Sequence, residues 1–309
     1  MKNQTSYIAL FLLIAFGLSW LVALPLWFGD GLDSPLAPLV AIAMMFTPAI
    51  AALIIVLLVE RPDSRARALG LWPVRPGRRF ILFLALGLVV PIALVLIALP
   101  VGAALGVYPA DFAGFSAFRQ LVDTQTEAAG VPDLGIPITA LVALQFVNVL
   151  VGAFVNLVPA LGEELGWRGW LLPKLMPLGT FRALLLSGVI WGLWHAPLVL
   201  LGYNYPGLPG WLGLTMMVGF TVIIGTIFGW LRLRSQSVWP AALAHGSLNA
   251  AAGFSLVFAA ADQSIDTAQA TILGWSGWLV PIALIAVLVA TKQFKRPPVD
   301  EPQAFPVAR

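Results

Sequence analysis

Apolar runs of membrane-crossing length recur eight times along these 309 residues, and that recurrence fixes the class of fold. A hydrocarbon core takes about 20 helical residues to cross. No water reaches the backbone there, so each run has to close its hydrogen bonds within a helix. The runs are 7–28, 37–59, 80–106, 136–160, 181–202, 211–231, 238–260 and 271–291. With 60% hydrophobic and only 10% charged residues, the chain is far from the balance of a soluble domain. The sequence predicts an all-α polytopic membrane protein: about eight transmembrane helices, one membrane domain over 1–309, and an intramembrane polar cavity. The first run is too long for a signal peptide and lacks a small-x-small cleavage site, so it reads as a retained helix.

The net charge of +3 marks topology rather than a nucleic-acid partner, because the basic residues lie between the apolar runs. With both termini in the cytoplasm, every basic residue except Arg119 falls on the inner side. Asp30, Asp33, Asp111, Asp123, Glu127, Asp133, Asp262 and Asp266 fall on the outer side. The expected location is a multi-pass position in a bacterial cell membrane, with the lipid bilayer as partner and no nucleic acid. The outer stretch 107–135 predicts an interfacial helix over Phe112–Val122, with Phe115, Phe118 and Leu121 as its apolar side. Residues 292–309, rich in proline, predict a disordered cytoplasmic tail. Cysteine is absent, which excludes a thiol nucleophile.

Against this background Glu163, Glu164 and Arg168 stand out, because ionised groups in hydrocarbon cost several kcal/mol each. At about 100° per residue, Gln145, Asn148, Asn156 and Glu163 share a narrow sector of one helix, giving it a polar inner face. The three amides read as bridges to neighbouring helices. Adjacent glutamates point about 100° apart and take different roles. Glu164 precedes Arg168 by four residues, the favourable order for a helical ion pair, which leaves Glu163 to face the bundle interior. If the chain turns near Pro177–Gly179, Glu163 lies about 15 residues before the turn and His195 about 17 after it. At about 1.5 Å per residue the two reach nearly the same level. Pro197 kinks the helix beside His195. His245 and Asn249, spaced i, i+4, project from one face of the seventh run, with Pro240 in its first turn.

Other hydrolytic patterns are absent: there is no His-Glu-x-x-His and no aspartate within an apolar run. Gly274-Trp-Ser-Gly277 matches a serine-protease tetrad, but no histidine follows His245 to serve it.

The ordered motifs Glu163-Glu164-x-x-x-Arg168, Trp191-x-x-x-His195 and His245-x-x-x-Asn249 resemble those of the type II CAAX prenyl endopeptidases and their bacterial relatives, the CPBP or ABI family. The resemblance spans a core over 140–255. It departs at Trp191, where the family usually has phenylalanine. It implies an eight-helix intramembrane protease that cleaves a peptide bond near the cytoplasmic face of a membrane-associated or lipidated substrate. Glu163 with His195 is implied to activate water, His245 and Asn249 to hold the oxyanion, and Glu164, Arg168 and Trp191 to support them. No cofactor is required on the preferred reading. Zinc held by Glu163, His195 and His245 is the alternative, disfavoured because Asn249 suits an oxyanion better than a metal. A non-catalytic scaffold or immunity-type protein of the same fold is the competing function. A proton pathway comes third, without the inverted repeats it would favour.

Overall fold

The computed structural model describes residues 2–72, 74, 77–131 and 135–295, with side chains from Gln4 onward. All regular structure among them is helical, apart from one antiparallel bridge between Ala110 and Ala259. The main helices are α1 (Lys2–Trp27), α2 (Ala37–Glu60), α3 (Gly77–Ala104), α4 (Ser116–Ala128), α5 (Ile138–Leu178), α6 (Thr180–Trp194), α7 (Gly210–Ser235), α8 (Trp239–Ala251) and α9 (Trp275–Ala290). Five of these are long and apolar enough to span a bilayer, namely α1, α2, α3, α5 and α7, while α6 and α9 are shorter apolar helices. The chain is an integral membrane protein.

Each expected crossing is helical, but three boundaries differ. The fourth run does not stop at residue 160. It continues through the charged residues to Leu178, because neighbouring helices bury the charges and the backbone ladder is indifferent to side-chain hydropathy. Past Glu164 the ladder widens into a π-helical stretch, Leu165–Leu171. Such widenings are rare and frequently mark functional sites. Gly179, at φ +92°, then turns the chain into α6 in a conformation that side-chain-bearing residues avoid. The fifth run breaks at His195 before the short helix Ala196–Val199, as Pro197 requires. The seventh stops at Ala251, and a separate turn of helix, Phe254–Val257, follows.

The interfacial helix begins later than its apolar residues suggested and runs longer. Asp111 accepts the backbone N–H groups of Gly114 at 2.7 Å and Ser116 at 3.1 Å, building a turn before α4. Hydrogen bonding from Ser116, then Gly114, lowers the Asp111 pKa from its ordinary value. Phe118 is buried, with Phe115 and Leu121 partly buried against the core. Of the expected tail, Lys292–Lys295 make turns in which Phe294 is buried against Phe181, at 5.5 Å between ring centroids. Residues 296–309 lie outside the described residues.

The centre of the bundle is α8, a helix of alanine, glycine and serine buried from Pro240 to Leu248. It packs most extensively against α5 and α3. Without a strong hydrophobic force between helices in lipid, small residues that let backbones approach supply the packing. A methyl group at Gly246 would sit 2.6 Å from the Ala153 carbonyl oxygen on α5, and one at Gly87 of α3 would sit 2.5 Å from that of Pro240. Gly188 and Gly192 seat α6 on α7 in the same way, against Val222 and Val218. Ser276 of the serine-containing tetrad is fully buried and donates to the Gln269 carbonyl at 2.5 Å, a structural use.

Replacing Gly246 with valine is expected to wedge α8 off α5 at a cost of about 1–3 kcal/mol or more. Gly253→Ala, where nothing lies within 4 Å, is expected to be neutral. Thermal unfolding in detergent measures both.

Candidate active site

The rare polar groups of the apolar runs converge on one buried cluster where α5, α6, α7 and α8 meet. Glu163 is 2% exposed, Glu164 0%, Arg168 1% and His245 4%. Gly162 and Gly166, flanking the glutamates, admit the backbone of α2. Methyl groups there would lie 2.8 Å from the Met45 carbonyl oxygen and 2.5 Å from Pro48. The α2 helix is itself interrupted at Phe46, and Thr47 beside the break accepts the Trp194 indole N–H at 3.1 Å.

Glu164 is the hub. Its Oε1 accepts from Arg168 Nη1 at 2.8 Å and lies 3.1 Å from His245 Nδ1. The expected i, i+4 clamp is therefore present and also holds a histidine from another helix. Arg168 lies over the Trp191 ring at 4.2 Å and the Phe228 ring at 5.5 Å, cation–π contacts that strengthen when desolvated. It fits because α7 has glycine at 225, where a methyl group would come within 2.7 Å of Arg168 Nη2.

Glu163 has a different hydrogen-bond partner. Its Oε2 accepts the Trp191 indole N–H at 2.7 Å. His195 makes no direct hydrogen bond to Glu163; its Nδ1 lies 2.8 Å from the Trp191 carbonyl oxygen. Trp191 thus joins the two by opposite ends of one residue, and its ring also meets His245 edge-on at 5.3 Å. A carbonyl oxygen only accepts, so Nδ1 of His195 carries the proton and a neutral ring leaves Nε2 as an acceptor. By the same logic Nδ1 of His245 donates to Glu164.

Asn249 lies one turn beyond His245 on α8, as its spacing predicts. It does not share the buried position of His245: it is exposed and makes no hydrogen bond. Two expectations about the α5 amides need correction. The amides do not bridge helices. Asn148 donates to Gln145 at 3.3 Å and Asn156 to the Gly152 carbonyl at 2.9 Å, all within α5. Nor do they form a polar inner face, since Asn148 is exposed and the other two partly so. Sequence reasoning also missed Phe228 and Thr47. The only signal for either was proximity to small residues or proline.

Among the described residues, no three or more His, Cys, Asp or Glu side chains are gathered closely enough to hold a metal ion. Glu163, His195 and His245, the set considered for zinc, do not converge as ligands in this conformation.

A buried ion pair that loses one partner typically costs about 3–5 kcal/mol. Glu164→Gln strands both Arg168 and His245, and is expected to lower stability on that scale. Glu163→Gln keeps an acceptor for Trp191 and is expected to change stability by about 1 kcal/mol or less. Unfolding midpoints of the two variants in one detergent decide it.

Residues 145–251 match the model of the Rce1-like type II CAAX prenyl endopeptidase family. A curated relative, CAAX prenyl protease 2 of Methanococcus maripaludis, is 34% identical over 110 residues. That match covers 34% of this chain and 39% of the relative, so the chain matches about two-fifths of the relative's length.

Proposed function

We propose that this chain, whose segment 145–251 is Rce1-like, is an intramembrane endopeptidase that hydrolyses a peptide bond of a lipidated or membrane-associated substrate through a water activated by Glu163. One observation carries the reading: the three motif segments, far apart in sequence, meet in a single cluster in which Arg168 and His245 share Glu164 while Glu163 and His195 share Trp191.

Glu163 offers one carboxylate oxygen to Trp191, which leaves the other for a water. His195, held by its Nδ1 on the Trp191 carbonyl, presents Nε2 to receive or relay that water's proton. His245 differs from His195 in having a carboxylate behind it. With Glu164 accepting from Nδ1–H, the ring is held in place, and His245 is assigned to the charge that develops on the scissile carbonyl oxygen. Arg168 balances Glu164 and keeps the charges in register. Asn249, exposed on the same helix, is assigned to the oxyanion once substrate covers it. No metal enters this scheme.

General-base catalysis is typically worth about 10²–10⁴-fold. Glu163→Gln, His195→Ala and His245→Ala are each expected to lower cleavage of a fluorogenic prenyl-peptide by at least about 100-fold in folded protein. Strong chelator is expected to leave the wild-type rate unchanged. Undiminished cleavage by purified Glu163→Gln would remove the proposal, and loss on chelation with recovery in zinc would replace it with a metalloprotease. A folded wild type that cleaves nothing would favour the scaffold reading.

The same proposal places the basic end of the bundle, and both termini, in the cytoplasm. The chain has no cysteine, so single cysteines report without background. In intact cells a membrane-impermeant maleimide is expected to label Asp123→Cys and spare Asp63→Cys, both exposed positions. The reverse pattern would invert the orientation.

A further inference from the structure

A second site lies at the basic end of the bundle, outside the glutamate cluster. A cavity of about 250 Å³ opens between the end of α5, the start of α6, the end of α7 and the turn after α9. It is several times the volume of about 30 Å³ that one water occupies in the liquid. Arg232, Arg234 and Lys295 supply its charge, and Met176 and Phe294 its apolar wall.

Among the described residues these cations have no counter-ion: the ion pairs are Arg168–Glu164, Lys174–Glu60 and His245–Glu164, none of which involves the cavity. Arg79 stands near enough for its charge to bear on Arg234. Arg234 Nε and Arg79 Nη2 are both buried without a hydrogen-bond partner. Three like charges lining one cavity, with the unmet Arg234 donor among them and Arg79 behind, are costly unless an anion accepts from them.

We propose that this cavity binds the phosphate of an anionic phospholipid headgroup. Its depth selects a lipid over a soluble anion: it lies where the 26-residue span α7 ends, at headgroup level. Leu178 at the end of α5 and Phe181 at the start of α6, 50% and 57% exposed, offer apolar surface for acyl chains beside it. Basic recesses between helices at the cytoplasmic face suit such headgroups. Arg232 also donates through Nε to the Arg168 carbonyl at 2.9 Å, so an anion seated against Arg232 reaches the backbone of the glutamate cluster.

The test is binding, and so stands whether or not the protein is a protease. Full-length protein in neutral detergent is titrated with phosphatidylglycerol, phosphatidylcholine or inorganic phosphate while its unfolding temperature is followed. Phosphatidylglycerol is expected to raise that temperature saturably, with an apparent affinity about ten-fold or more above phosphatidylcholine. Arg234→Gln and Lys295→Gln are each expected to weaken the response about ten-fold, and Arg234→Lys to retain most of it. Should Arg234→Gln fail to fold, Lys295→Gln, at an exposed position, carries the same comparison. An undiminished response in the variants would overturn the site. Inorganic phosphate acting as well as phosphatidylglycerol would overturn the lipid.

Discussion

A single carboxylate in the low-dielectric centre of the bundle holds a guanidinium and an imidazole from different parts of the chain. Glu164 is fully buried, bonded to Arg168 on its own helix and to His245 on α8. In water such pairs are worth little. Inside a membrane protein, separating them leaves a bare charge in hydrocarbon. The pairing therefore fixes the register of α8 on α5, and with it the level at which His245 meets Trp191 and, through Trp191, Glu163 and His195. Stability and the candidate chemistry share this constraint but divide it between neighbours: Glu164 is spent on structure, while Glu163 keeps an oxygen for reaction.

The helices around this centre make room for it by omission. Glycines at 162, 166, 188, 192, 225 and 246 each stand where a methyl group would collide with a neighbouring element. The backbones can then approach closely enough for a large guanidinium and two indoles to fill the remaining space. Trp191 uses this arrangement most fully. Its N–H holds Glu163, its carbonyl orients His195, and its face carries Arg168. Phenylalanine, usual at this place in the family that the sequence resembles, supplies the ring but not the N–H.

Much of this is legible in the chain alone, for a physical reason. Hydropathy and charge placement act over one helix at a time, so the crossings, the Glu164–Arg168 pair and the break near His195 can be read from local spacing. Partners distant in sequence cannot. Nothing within α8 says that His245 will find Glu164, and nothing near Trp191 says that its N–H will point at Glu163. Helical projection also misjudged the amides: Gln145, Asn148 and Asn156 share a sector with Glu163 but satisfy themselves within α5. Angle around an axis does not reveal which neighbour covers which turn.

On the proposed mechanism Glu163 activates a water rather than attacking the peptide carbonyl itself. A single-turnover cleavage in ¹⁸O-water, with enzyme in excess over a prenyl-peptide, tests it directly. Activated water predicts ¹⁸O in the newly formed carboxylate of the product in that first turnover. An unlabelled product, with the isotope recovered instead in the Glu163 side chain, would mean a covalent acyl-glutamate intermediate and would contradict the account.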